Sequence, residues 1–147
     1  MKVIVKNKQA NYNYFILDKF EAGIKLQGSE IKSIRLGKVS INDAYVSFKN
    51  NEAFIYNMNI SKYDQANRFN HDEKRVRKLL LNKKEIHNIY SKIKEEGITV
   101  APIMLYFKNS LVKVEIALAR GKKNYDKRAD LKDKDVNMRL KKVKKFY

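Results

Sequence analysis

Residues 98–119 read ITVAPIMLYFKNSLVKVEIALA. In the second half, Leu111, Lys113 and Glu115 fall on one side, and Val112, Val114, Ile116 and Leu118 on the other. That period of two is the mark of a strand with one buried face. Ile98–Phe107 is a second apolar segment, and Lys108-Asn109-Ser110 is a short polar link between them. Two strands in a hairpin of this length point to a mainly β body.

Working outward, the same pattern recurs in shorter pieces. Ala44–Phe48 and Ala53–Asn57 flank Asn50-Asn51, a residue pair suited to a two-residue hairpin turn. Tyr12–Phe20 and Gly23–Gln27 read as strands joined by a turn at Glu21-Ala22-Gly23. Gly28-Ser29-Glu30 opens a short helix that faces Ile31 and Ile34 inward and stops at Gly37. A longer helix is predicted over about Lys83–Glu96. Asn82 and Glu85 supply a capping box, Ile86, Ile89, Tyr90 and Ile93 an apolar stripe, and Gly97 the stop. Six short strands with inserted helices suggest a small OB-like Greek-key barrel with flanking α-helices. An SH3-like barrel or an α+β sandwich is also compatible with the pattern.

The chain has 147 residues, 33 Lys plus Arg against 16 Asp plus Glu, and a net charge of +17. Such a charge on so small a chain points to a polyanionic partner. It is unevenly spread. Residues 120–147 hold 12 cations and four acids, a net of +8. The division expected is a globular body over 1–119 and a basic C-terminal tail over 120–147. There is no Cys, which removes disulfides, thiolate nucleophiles and Cys-type zinc sites. The two histidines, His71 and His87, lack the one-turn spacing of a helical zinc pair. The longest apolar run, Val100–Phe107, is far short of the ~20 residues that span a bilayer. The opening MKVIVKNK has no apolar stretch of signal-peptide length. A soluble, monomeric cytoplasmic protein with no cofactor and no metal is the expectation.

No local motif supports catalysis. His71-Asp72-Glu73 is the densest polar cluster, but Ser61–Arg77 reads as a solvated loop. His87 sits off the apolar face of its helix and reads as exposed. The basic motifs carry more. Lys74, Arg75, Arg77 and Lys78 lie within five residues, directly before Leu79-Leu80-Leu81, which would anchor the strip to the body. A fixed strip of this kind can neutralise several phosphates. Lys32, Arg35 and Lys38 recur every three residues and suggest a cationic ridge on the short helix. Glu30 beside them fits a cap at the helix N-terminus, and a carboxylate can also accept from a base amino group. Tyr12, Tyr14, Phe15, Tyr63 and Phe69 are candidates for base stacking, and equally for packing.

Several of these motifs, in order, resemble SmpB, the SsrA (tmRNA) binding protein family. They are Tyr14-Phe15, Phe20-Glu21-Ala22-Gly23-Ile24, Leu26-Gln27-Gly28-Ser29-Glu30 running on to Arg35, Gly37-Lys38, Asp43-Ala44-Tyr45-Val46, Glu52-Ala53-Phe54 and Asn59-Ile60. Arg77-Lys78-Leu79-Leu80-Leu81 matches an RKLLL box, and Gly121-Lys122-Lys123 with Asp126-Lys127-Arg128 matches a tail signature. The resemblance implies an OB-like barrel and a non-enzymatic adaptor. It would bind the tRNA-like domain of tmRNA and bring it to a stalled bacterial ribosome for trans-translation. The tail would fold along the empty mRNA channel beside the small-subunit decoding site. The resemblance makes Glu30 an RNA-contacting residue, Asn7 a support for tmRNA binding, and one of Leu79, Leu80 and Leu81 a contact. It ties Gly121, Lys122, Lys123, Asp126, Lys127 and Arg128 to the ribosome. Tyr125 stands where many members have His, so an aromatic face is kept and an imidazole proton is not. Val76 stands where Pro is common, which leaves the loop less rigid.

In the tail, Val136, Leu140, Val143 and Tyr147 fall on one helical stripe. A helix this short and charged is marginal in water and suits folding on binding. Two other readings follow from residues alone: a general OB-type RNA-binding or ribosomal protein, and a nuclease or RNA-modifying enzyme.

Overall fold

A computed structural model describes residues 2–63, 70–94 and 97–121. Along the chain lie β1 (Lys2–Lys6), α1 (Ala10–Asn13), β2 (Tyr14–Ile24), α2 (Gly28–Arg35), β3 (Val39–Ser40) and β4 (Tyr45–Lys49). Then come β5 (Glu52–Tyr56), β6 (Asn59–Ile60), β7 (Arg77–Leu80), α3 (Lys83–Ile93), β8 (Ile98–Lys108) and β9 (Leu111–Gly121).

The long hairpin is the backbone of the fold. β8 and β9 pair from Ile98↔Arg120 to Lys108↔Leu111, and Asn109 and Ser110 turn the chain in left-handed conformations (φ 52° and 66°). From β8 the antiparallel ladder runs through β4, β5, β7 and β2 to β9, which pairs back onto β8. The sheet therefore closes into a barrel and removes most of its edges. β1 adds to the far half of β8, against Met104–Phe107. The neighbours are largely non-sequential, the helices flank the barrel, and the mainly β, OB-like architecture stands. Ile55, Leu79, Leu105, Ile116 and Leu118 fill the interior, each almost wholly buried.

Local physics accounts for several of these elements. Asn50 and Asn51 both take positive φ, as a two-residue hairpin between β4 and β5 requires. Asn82 Oδ1 accepts from the Glu85 amide at 2.8 Å, and Glu85 Oε1 accepts from the Asn82 amide at 3.2 Å. α3 buries Ile86 and Ile89, but Tyr90 faces solvent. Its last described turn ends at Lys94, and Glu95-Glu96 lie outside the described residues.

Two readings need correction. Glu21-Ala22-Gly23 is no turn: β2 runs unbroken through it, eleven residues long. Gly23 serves a close approach instead. A Cβ there would lie 3.2 Å from Leu80 Cβ on the neighbouring strand. The RKLLL segment, read as a strip with an anchor, is a barrel strand, β7, between β5 and β2.

Candidate nucleic-acid interface

The surface begins with a buried acid. The Gln27 amide donates to Glu30 Oε1 at 2.8 Å, so Glu30 does close the first turn of α2. The same carboxylate accepts from Arg75 Nη2 at 2.7 Å and, through Oε2, from Arg77 Nε at 2.5 Å. Neither Glu30 nor Arg77 has any exposed side chain, while Arg75 keeps 31% of its own. Arg77 also donates through Nη1 to the Met58 carbonyl at 2.5 Å, and through Nη2 to the carbonyls of Asp72 (3.3 Å) and Glu73 (3.2 Å). Burial pushes the Glu30 carboxyl up, but hydrogen bonds from Arg75, the Gln27 amide and Arg77 outweigh it and hold the group below its ordinary range. Burial lowers the Arg77 guanidinium, against the pull of Glu30.

This clasp corrects two expectations. Glu30 and Arg77 are enclosed by the protein, so neither presents a polar atom to an RNA strand in this conformation. Their work is to fix α2 against the segment leading into β7. His71 does the same and is no solvated loop residue: it is 2% exposed. Its Nε2 faces the Ile60 carbonyl at 2.8 Å, and its Nδ1 meets Ser29 Oγ at 2.9 Å. A carbonyl only accepts, so Nε2 carries a proton and donates to it. Ser33 Oγ adds a bond to the Ser61 carbonyl at 2.6 Å. Among the described residues no group of three His, Cys, Asp or Glu is placed to hold a metal.

Around the clasp the surface is basic. Lys32 is exposed on α2 with its ammonium 5.5 Å from the Tyr63 ring centroid. Arg35 is exposed in the last turn. Lys38 is exposed too, but it follows Gly37 (φ +75°) and lies past the helix, so the ridge on α2 itself is Lys32 and Arg35. Lys74 is exposed, and Lys78 lies on the outer face of β7, 3.2 Å from Glu52. The strip of four cations thus has one turned fully inward, Arg77, because a β-strand alternates its side chains.

The same alternation sorts the leucines. Leu79 is core at 1% exposure, Leu80 is 52% exposed, and Leu81 is half-buried against the core. Beside Leu80, across Gly23, β2 carries Glu21 outward. Glu21 accepts from the Tyr106 hydroxyl and, at 3.4 Å, from Lys108 Nζ. The Tyr106 hydrogen bond, with Lys108 and Lys113 nearby, holds its carboxyl below the ordinary range. Glu21, unlike Glu30, is exposed. Sequence reasoning passed over it by placing it in a turn; strand alternation through Gly23 was the available signal.

Asn7 is a strut at 7% exposure: Nδ2 donates to the carbonyls of Ile41 (3.2 Å) and Pro102 (2.9 Å), and Oδ1 accepts from the Gln9 amide (3.2 Å). Tyr12 and Tyr14 are half-buried, and Phe15 is 47% exposed. Gly121 ends β9 as the register partner of Tyr14. Phe69, Lys122, Lys123, Tyr125, Asp126, Lys127, Arg128 and the stripe from Val136 to Tyr147 lie outside the described residues. Among the described residues, no helix is long and apolar enough to cross a membrane.

A closed antiparallel barrel with a pinned, cation-rich face has the architecture and charge that suit a polyanionic partner. The family model described as SmpB protein matches residues 4–146. The chain belongs to the SmpB family. It is 57% identical over 135 residues to an SsrA-binding protein of Geotalea uraniireducens, covering 92% of this chain and 89% of that one. An SsrA-binding protein of Carboxydothermus hydrogenoformans is 48% identical, with 97% and 95% covered, and that of Bacillus subtilis 49% identical, with 95% and 89% covered. A chain from a solved structure called "tmRNA-SmpB: a journey to the center of the bacterial ribosome" superposes with a TM-score of 0.70 at 38% identity, covering 95% of this chain and 96% of that one.

Proposed function

We propose that this protein is an RNA-binding adaptor of trans-translation. It binds the tRNA-like domain of tmRNA and brings it to stalled bacterial ribosomes, in the cytoplasm and without catalysing a reaction. The observation that carries this reading is the family match over residues 4–146, nearly the whole chain. The geometry supports it. The Glu30–Arg75–Arg77 clasp and His71 hold α2 against the β7 segment, so Lys32, Arg35, Lys74 and the exposed part of Arg75 are presented on a pinned surface. Fixed cations lose less freedom on meeting phosphates than mobile ones. Leu80 and Glu21 add an apolar contact and a hydrogen-bond acceptor beside them. Asn7 and Glu30 act here by holding shape, and Lys38 and Lys78 add charge at the margin. The body, ending near residue 120, is the tmRNA-binding part. The tail beyond β9, with Lys122, Lys123, Tyr125, Asp126, Lys127 and Arg128, serves the ribosome's decoding site and empty mRNA channel, and Gly121, the last residue of β9, joins it to the body.

Filter binding tests this with three RNAs: the tRNA-like domain of tmRNA, bulk tRNA and unstructured single strands. The expected result is tight, salt-sensitive retention of the first, well above the other two. Equal affinity for all three would reduce the protein to a general RNA-binding barrel.

A further inference from the structure

A second concavity lies away from the clasp. Gln9, Asn13, Tyr14, Asn42, Asp43 and Tyr45 line it, and it encloses about 350 Å³, within the range of small-ligand pockets. One wall is aromatic. Tyr45 faces outward from β4 and is 44% exposed. Its cross-strand partner Tyr56 stacks behind it, with ring centroids 5.2 Å apart and planes 10° from parallel. That backing holds the plane of the Tyr45 ring, and the same exposed side chain lines the pocket.

Amides make up much of the remaining lining, with Thr99, two alanines and a single carboxylate, Asp43. Asn13, Asn42 and Asp43 make no side-chain hydrogen bond to any other described residue, so their donors and acceptors are available. Among the described residues no Lys or Arg lines the cavity, so that lining is ill suited to a phosphate. A flat π-system needs an aromatic plate, and its edge needs paired donors and acceptors of the amide kind. We propose that this pocket takes a single unpaired nucleobase, stacked on Tyr45 and read at its edge by Asn42 and Asp43.

The site is separate from the clasp face. Tyr14 at the pocket and Gly23 beside Leu80 are nine residues apart along the same strand, toward its opposite ends. Tyr14 is also the register partner of Gly121, from which the chain continues into its basic last segment. The pocket therefore stands where the tail departs. Resting on the adaptor reading above, the base would come from a strand the tail meets, and not from the RNA held at Leu80.

The test is fluorescence of a short single-stranded RNA carrying 2-aminopurine, added to the full chain, with Tyr45→Leu and Tyr45→Phe as variants. Stacking quenches the probe. Wild type and Tyr45→Phe are expected to quench alike, and Tyr45→Leu to lose most of the quench. Asp43→Asn is expected to change the preference among probes with different bases at the same position. All three variants should retain the tRNA-like domain on filters as wild type does. Equal quenching by wild type and Tyr45→Leu overturns the pocket. So does loss by Tyr45→Phe as complete as by Tyr45→Leu, because a ring that keeps its π-face must keep the stack. If the tRNA-like domain fails to bind wild type while Tyr45-dependent quenching persists, the adaptor reading falls and the base pocket stands. Thermal unfolding of each variant separates a folding loss from a stacking loss. Should Tyr45→Leu unfold, backbone amide shifts of Asn42, Asp43 and Thr99 on titrating the same RNA into wild type replace it, and their absence overturns the proposal.

Discussion

Replacing Glu30 by Gln keeps its volume and one acceptor but removes the charge between two guanidiniums. Glu30 and Arg77 are both without exposed side chain, so solvent does little to screen the loss. Removing one partner of a buried pair costs about 3–5 kcal/mol, because the other charge is left uncompensated. Gln can still accept one hydrogen bond, so the lower end applies, about 3 kcal/mol. At roughly 4 °C per kcal/mol for a body of this size, the Tm should fall by about 12 °C. Urea unfolding followed by far-UV circular dichroism measures the free-energy loss, and thermal unfolding the fall in Tm. Arg77→Met should cost at least as much, since three carbonyls also lose their donor. The double variant should cost well under the sum of the two, by about 2 kcal/mol, if the pair is one unit. The pH dependence gives a second reading. The folded Glu30 pKa lies below 4.5, so its contribution is complete above that pH and is lost as pH falls through the folded value. Glu30→Gln should therefore flatten the acid limb of the stability curve. A cost under about 1 kcal/mol for Glu30→Gln, or additive costs in the cycle, would refute the clasp as an energetic unit.

Leu79→Ala should destabilise the barrel by about 2–5 kcal/mol with little specific effect on RNA, while Leu80→Ala should change stability by under about 1 kcal/mol and weaken filter retention of the tRNA-like domain. Neutralising Lys32 or Arg35 should each lower the slope of log affinity against log salt by about 0.7–0.9 if each meets one phosphate, and an unchanged slope removes that residue from the contact. Ending the chain after Gly121, which preserves β9, should leave binding to the tRNA-like domain largely intact and abolish tagging in a reconstituted translation assay. Loss of RNA binding on that truncation would place the contact in the tail.

What could be read from the sequence was whatever short-range physics decides. The β8–β9 alternation, the Asn50-Asn51 turn and the Asn82–Glu85 capping box each depend on neighbours within a few residues. Gly23 looks like a turn residue by its neighbours alone, whereas its reason is Leu80, 57 residues away on another strand. The same holds for His71: its partners are Ser29 and Ile60, and nothing adjacent to it signals burial. β7 did carry its period of two, Arg77 and Leu79 in, Lys78 and Leu80 out. An inward arginine is implausible until its carboxylate is known, and Glu30 lies 47 residues upstream. The family resemblance points to Glu30 and the leucine box, but a motif does not say which way a side chain points, and Glu30 points inward.

The orientation changes how the charge should be counted. Lys74–Lys78 holds four cations, and a count of four suggests four phosphates. In the fold, Arg77 is committed to Glu30 and three carbonyls, and Arg75 shares the same carboxylate. Lys78 faces Glu52 across an exposed pair that is worth at most about 1 kcal/mol and exchanges readily for a phosphate. Arg77 cannot exchange without opening the α2 contact. The strip therefore offers Lys74, Lys78 and part of Arg75 to an RNA backbone, with Lys32 and Arg35 across on α2. Using one arginine internally reduces the charge available for binding, but it removes the looseness that would let the remaining cations spread apart under mutual repulsion. In a chain of net charge +17, a buried acid beneath the basic face is what allows that face to keep a shape before the RNA arrives.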